Sequence, residues 1–227
     1  MPIIPALFTS EDHLPEIQCS TVLLVEGDDE FRFFKSLLKC MEIQHNQDLQ
    51  LRKMNGKDVR SIFEAFLNDP GFPSVTAYAV VRDADKNAGA ALRSVQGLLK
   101  EYHQPCATEH ATFAFNDKQT MKVGIFIMPG ESERGMLEDL CLESAVDHPI
   151  MPYVEDFMRQ VKATMQGQAP RNESKAKLQA FLSGMNEPVP HLGVAAQKRY
   201  WDFDHAAFTC IRRFIEQLIQ PLTHHPS

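Results

Sequence analysis

The stretches that decide the fold are TVLLVEGDDE at residues 21–30 and VTAYAVVRDAD at residues 75–85. Each begins with a nearly unbroken apolar run and ends abruptly in acidic residues. A strand that is apolar at almost every position is buried on both faces, which is typical of a parallel sheet covered by helices. We therefore predict two central strands, each followed by carboxylates at its carboxyl end.

Outward from these strands, the apolar run at residues 123–128 predicts a further core strand, and residues 49–54, before the Asn-Gly break, are a candidate for another. Apolar residues at helical spacing fill the intervening segments, and Asp28 is the predicted N-cap of the first helix. This alternation predicts a mostly parallel α/β sheet of about four strands flanked by helices. Helical periodicity then dominates, so we expect an α/β domain over residues 1–148 and a helical extension over residues 149–227 packed on it.

The composition is that of an ordinary globular protein. The chain has 227 residues, 44% of them hydrophobic, and a formal net charge of −7. A net negative charge means that any contact with nucleic acid must be local. The five cysteines lie far apart without zinc-like spacing, which favours a reducing compartment. With no signal-peptide pattern and no apolar run of membrane-spanning length, we expect a cytoplasmic protein without membrane contact.

Three acidic residues follow the central strands: Glu26, Asp83 and Asp85. Functional sites of open α/β sheets gather at the carboxyl ends of strands, so these side chains are expected to reach one cation. Oxygen ligands suit Mg²⁺ or Mn²⁺ rather than zinc or copper. Crowded carboxylates repel one another, so at least one of these three or Glu30 should have a raised pKa. The alternative is that they are ordinary helix caps or solvent-facing acids.

VEGDDE after one apolar strand and VVRDAD after a later one resemble the Toprim domain of topoisomerases, bacterial primases, recombination proteins and OLD-family nucleases. Glu26 matches the signature glutamate, and Asp83 and Asp85 match the Asp-x-Asp pair. Asn-Gly-Lys at residues 55–57 resembles the glycine turn between them. The resemblance covers residues 20–145 and implies a Rossmann-like (Toprim) sheet.

Further residues are similar to the OLD-like branch and to a Toprim-related group of bacterial proteins without assigned function. Glu30 lies four positions past Glu26, where that branch has an acid, and Gly-Met-Leu-Glu at residues 135–138 resembles its Gly-x-Leu-Glu segment. Lys175 or Lys177 matches the lysine of a later helix. The GxxxxGK[ST] motif of the OLD ATPase does not occur in this sequence.

The resemblance implies Mg²⁺ (or Mn²⁺) as cofactor. It makes Asp83 and Asp85 metal ligands, and Glu26 either a ligand or a general base. Glu30 and Glu138 would hold a second ion. Lys175 or Lys177 would stabilise the negative charge that develops during reaction.

The first functional hypothesis is thus a metal-dependent nuclease, or related phosphoryl-transfer enzyme, acting on DNA or RNA. One alternative is a non-catalytic Toprim-like module that binds or regulates a partner protein. The other is a haloacid-dehalogenase-like phosphatase, because DADKN at residues 83–87 resembles that family's Asp-x-Asp motif. A homo-oligomer or a partner protein is compatible with these hypotheses.

Two further segments have both a functional and a structural interpretation. The basic residues Arg52, Lys53, Lys57 and Arg60 either contact phosphates or form a solvated face. The segment QKRYW at residues 197–201 resembles single-strand binders, but core packing is the favoured interpretation of its tryptophan.

Overall fold

The structure is a computed structural model that describes residues 16–54, 58–130, 132–165 and 167–222. Its strands are β1 (Thr21–Val25), β2 (Gln50–Lys53), β3 (Ala77–Asp83), β4 (Thr112–Phe115) and β5 (Lys122–Met128). They form one five-stranded sheet in the order β2-β1-β3-β5-β4. All neighbouring pairs are parallel except β4 and β5, which are antiparallel. The predicted α/β class and mostly parallel sheet are therefore confirmed.

The edge strand β4 was not predicted. It has four residues, and none of them is fully buried. Such a short strand has too little alternation to stand out from a loop. Its place in the sheet depends on a distant contact, because the ring of Phe113 stacks on Phe214 with centroids 4.8 Å apart.

The helices of the described residues are α1 (Asp28–Cys40), α2 (Val59–Leu67), α3 (Ala88–Glu101), α4 (Leu137–Ser144), α5 (Met151–Met165), α6 (Glu173–Ser183), α7 (Leu192–Gln197) and α8 (Thr209–Ile219). The N-cap of α1 is Gly27, so the prediction that Asp28 caps it was wrong by one residue. The short helix α7 was not predicted. No helix in the described ranges is long and apolar enough to cross a membrane.

Helices cover both faces of the sheet and create two hydrophobic clusters. In β3, Ala79 and Val81 belong to the cluster that also contains α1, α4 and the later helices, whereas Tyr78 and Val80 belong to the cluster with α2 and α3. We call these the α1 face and the α3 face. Because the later helices share the α1-face core with the sheet, they pack on the α/β unit. The domain boundary after residue 148 stays a prediction.

Candidate functional site

The carboxyl ends of β1 and β3 meet where the strand order changes direction. The chain passes from β1 to β2 on one side, and β3 then lies on the other side of β1. This is a topological switch point, where open α/β sheets form their binding crevices. Glu26 follows the last residue of β1, and Asp83 is the last residue of β3. The fold therefore brings these two acids to the same edge.

Glu26 lies on the α3 face of that edge. Side chains alternate along a strand, and Leu24 and Val80 both contribute to the α3-face core, so Glu26 and Arg82 point the same way. The Nε atom of Arg82 lies 3.2 Å from Oε1 of Glu26. Another guanidinium nitrogen donates to the hydroxyl of Ser94 at 3.0 Å. Sequence reasoning missed Arg82, because its proximity to Glu26 follows from the register between β1 and β3.

Burial raises the pKa of Glu26, and the positive charge of Arg82 offsets only part of this increase. The nearby carboxylates of Glu30 and Asp85 raise the pKa further, while a hydrogen bond from the backbone N–H of Asp83 lowers it. Glu26 is thus an acid held close to other acids at a partly buried edge.

Asp83 lies on the opposite, α1 face. Its Oδ1 accepts a hydrogen bond of 3.1 Å from the backbone N–H of Leu137, at the beginning of α4. Burial, together with the charges of Glu26, Glu30 and Glu138, raises the pKa of Asp83 to about 8. The expectation of a raised pKa among the crowded acids is confirmed. Burial, rather than repulsion, is its main cause.

Glu138 and Lys175 complete this face. Glu138 lies in the first turn of α4, its side chain is 15% exposed, and its Oε1 is 3.5 Å from Nζ of Lys175. Burial raises the pKa of Glu138, whereas Lys175 lowers it. Lys177 instead donates to Glu155 at 2.9 Å. Of the two candidate lysines, the structure therefore brings Lys175 to the acids and directs Lys177 to α5.

Two further acids border the edge. Glu30 folds back over Gly27, since a Cβ atom at that glycine would lie 2.9 Å from Oε2 of Glu30. Asp85 is exposed and has a left-handed backbone with φ of 51°. Its carbonyl accepts from the N–H of Gly135 at 2.9 Å, which ties the β3 loop to the segment before α4.

The side chains of this edge offer only carboxylate oxygens, the type of ligand that hard divalent cations take. In the ranges that the structure describes, no three His, Cys, Asp or Glu side chains form a ready-made ligand group for one metal ion. The expected convergence of Glu26, Asp83 and Asp85 is not found, because Glu26 and Asp83 leave opposite faces and Asp85 is exposed. Magnesium usually keeps several waters and binds through one or two carboxylates plus substrate phosphates. Carboxylates that lie on the two faces of one sheet edge are compatible with that chemistry. Their roles as metal ligands stay a prediction.

A family model described as "Protein of unknown function (DUF3226)" matches residues 20–220. The chain belongs to this family. A comparison with curated proteins found no match.

Similar solved structures include the C-terminal region of the Burkholderia pseudomallei OLD protein, which is 16% identical with a TM-score of 0.48, covering 88% of this chain and 98% of that one. The C-terminal region of the Xanthomonas campestris pv. campestris OLD protein is 13% identical with a TM-score of 0.44, covering 88% and 96%.

The basic stretch of this DUF3226 chain does not form one phosphate-binding surface. Arg52 is buried and pairs with Asp69 at 2.7 Å, so its role is structural. Lys53 pairs with Asp28 of α1, whereas Arg60 pairs with Glu101 of α3. Lys57 and the glycine turn at residues 55–57 lie outside the described residues.

Trp201 packs in the core, as the favoured interpretation predicted. Its side chain is buried and stacks on Phe181 with ring centroids 5.5 Å apart. It offers no ring face for a nucleic-acid base.

Proposed function

We propose that this protein is a metal-dependent phosphoryl-transfer enzyme that cleaves phosphodiester bonds of DNA or RNA. The observation that supports this best is the group of acids at the switch point, with Asp83 and Glu138 facing Lys175 on the α1 face. The Toprim resemblance of VEGDDE and VVRDAD supports the same chemistry.

Asp83 and Glu138 would hold the ion, with Glu30 and Asp85 as further oxygen donors. Mg²⁺ or Mn²⁺, when bound, supplies neutralisation of the negative charge on the phosphate. The helix geometry helps Asp83 and Glu138 keep their orientation, because the first turn of α4 provides a backbone N–H to each of them. Both side chains are therefore held in place before a substrate arrives.

Lys175 would bind the phosphate and stabilise the charge that develops in the transition state. Its side chain is 61% exposed, so its ammonium group is accessible to an incoming phosphate. Its pKa is raised, first by the charge of Glu138, so the amine stays protonated at neutral pH. Glu26 would serve as a further ligand or as a general base, for which a raised pKa is favourable.

A non-catalytic binding module is the second candidate. It is favoured by the ion pair between Arg82 and Glu26, because this contact already occupies one of the carboxylates. The net charge of −7 also confines any nucleic-acid contact to a local surface.

The deciding experiment compares the wild type with Asp83→Asn and with Asp117→Asn, an exposed acid in the turn between β4 and β5. Melting temperature is measured across a titration of Mg²⁺ or Mn²⁺, and cleavage is measured on labelled single-stranded and duplex DNA and RNA. We expect Asp83→Asn to stay folded, to lose the metal-dependent stabilisation, and to lose about 10²- to 10³-fold in cleavage rate. Asp117→Asn should match the wild type.

Two other outcomes have distinct meanings. Metal-dependent stabilisation of the wild type without cleavage of any nucleic acid favours the non-catalytic module. Absence of a metal effect on the wild type contradicts the shared metal site and makes the acids ordinary features of the strand ends.

A further inference from the structure

A cleft of about 840 Å³ opens on the α3 face, between α2 and α3, with Glu26 at its border. Its floor is apolar and includes Met54, Val80 and Leu98, and its rim carries three arginines and three acids: Arg60, Arg82, Arg93, Glu26, Asp58 and Glu101. Its size lies within the range of about 300 to 1,000 Å³ that is usual for small-molecule pockets. Because Glu26 borders both, the cleft is continuous with the acidic edge described above.

At Gly97, one wall of the cleft carries no side chain. Gly97 lies inside α3, where a glycine destabilises a helix by about 1 kcal/mol relative to alanine. A Cβ atom at Gly97 would meet nothing within 4 Å, so packing does not require a glycine there. The missing side chain enlarges the cleft.

The arginines of the cleft differ in how they are engaged. Arg82 contacts Glu26 and Ser94, and Arg60 lies 3.3 Å from Glu101. Arg93 is exposed and forms no ion pair within the described part of the chain. An arginine without a carboxylate partner beside an apolar floor can bind a phosphate with its planar fork or stack on a heterocyclic ring.

We propose that this cleft binds one unpaired nucleotide of the substrate, with the base on the apolar floor and its phosphate beside Arg82 and Arg93. This inference rests on the proposed function and names its substrate class. A base stacked within a duplex cannot enter a pocket of this kind unless it leaves the stack. The substrate is therefore a single strand or a frayed end, and the bound nucleotide directs its neighbouring phosphodiester toward Glu26, the acid that the cleft shares with the acidic edge.

The test measures binding without metal, in EDTA, so that cleavage does not interfere. The probes are a fluorescein-labelled single-stranded oligodeoxynucleotide and the blunt duplex of the same sequence. Gly97→Phe fills the cleft, and Gly97→Ala is its matched control with the same loss of glycine. We expect the wild type to prefer the single strand, Gly97→Phe to weaken that binding about tenfold or more, and Gly97→Ala, which adds only a methyl group to the cleft wall, to weaken it far less.

A charge variant keeps the test valid if Gly97→Phe does not fold. Arg93→Gln should weaken single-strand binding several-fold, whereas Lys118→Gln, which removes an exposed charge between β4 and β5, should not. Equal affinity of the wild type for single strand and duplex would overturn the proposal. The proposal would also be overturned if Gly97→Phe bound the single strand like Gly97→Ala and Arg93→Gln bound it like Lys118→Gln.

The two proposals fail separately. Asp83→Asn should keep the single-strand binding while losing cleavage, because Asp83 lies on the opposite face from the cleft. Binding that depends on Gly97 in a wild type that never cleaves supports the cleft and contradicts the nuclease. Metal-dependent cleavage that is insensitive to Gly97→Phe supports the nuclease and contradicts the cleft.

Discussion

Arg52 and Asp69 form a buried ion pair at 2.7 Å with side-chain exposures of 3% and 7%, whereas Asp83 and Glu138 share a partly buried edge with other acids. In the first region each charge is matched, and Asp69 also accepts a hydrogen bond from the backbone N–H of Gly71. In the second, the acids outnumber their cationic partners. The matched pair belongs to the stability of the fold, while burial and the neighbouring acids raise the pKa values of Asp83 and Glu138.

The largest effect should come from breaking the matched pair. Asp69→Asn leaves the guanidinium of Arg52 buried without its counter-charge, which should lower the free energy of unfolding by about 3 to 5 kcal/mol. Glu101→Gln, in the more exposed pair with Arg60, should change it by less than about 1 kcal/mol. Urea unfolding at neutral pH measures both. Similar losses in the two variants would contradict the contrast between buried and exposed pairs.

The same pair should depend on pH in a defined direction. Burial alone would raise the pKa of Asp69, but hydrogen bonds from Arg52, Gly71 and Ile17 outweigh it and hold the pKa below its usual value. A depressed acid pKa gives stability that is present above about pH 4 and is lost as the pH falls through the folded-state pKa. The difference in unfolding free energy between wild type and Asp69→Asn should therefore shrink on acidification. A difference that grows on acidification would contradict this sign.

A smaller effect, on activity rather than stability, should separate the two lysines. Lys175→Met removes the cation beside Glu138 and should reduce cleavage about 10²-fold. Lys177→Met breaks the pairs with Glu155 and Glu173 on the other side of α6, which are partly exposed and lie away from the acids, and should leave cleavage within about twofold of the wild type. Single-turnover cleavage rates provide the comparison. Equal losses would mean that the lysine acts through the stability of α6.

The smallest effect should follow from Gly27→Ala. The added methyl group would displace the carboxylate of Glu30, whose side chain can move, and the extended backbone at residue 27 accepts alanine without strain. Apo stability should therefore change little, while the metal-dependent rise in melting temperature should decrease. Gly97→Ala, with open space around its Cβ position, is the control. An unchanged metal response in Gly27→Ala would remove Glu30 from the set of ligands.

The long apolar strands were predictable because burial on both faces leaves a continuous hydrophobic run. The edge strand β4 was not, since its pairing with β5 depends on tertiary contacts such as the stack of Phe113 on Phe214. The helix α7 has only six residues, which is too short for a clear period. Arg52 was assigned to a basic surface because its partner Asp69 is distant in the sequence.

The residues of the site were predictable from the sequence, but their distribution between the two faces of the sheet was not. The sequence indicated acids at the ends of two strands, but strands that are apolar on both faces do not reveal their relative register, which is what places Glu26 and Asp83 on opposite faces. The choice between Lys175 and Lys177 could not be made from spacing, because it depends on how α6 rotates against α4. That rotation is fixed by tertiary contacts, including the hydrogen bond from Ser174 to Asp139.

Lys122 has a consequence for the order of folding. The residue begins β5, is buried, and donates from Nζ to the carbonyls of Gln217 and Gln220, which lie 95 and 98 residues later. During synthesis its ammonium group has no such acceptors until the end of α8 has emerged from the ribosome. Closing a loop of that length carries an entropic cost before any contact forms. We therefore expect the contact between β5 and the end of α8 to form late in folding, after β1 and β3 have paired at the acidic edge.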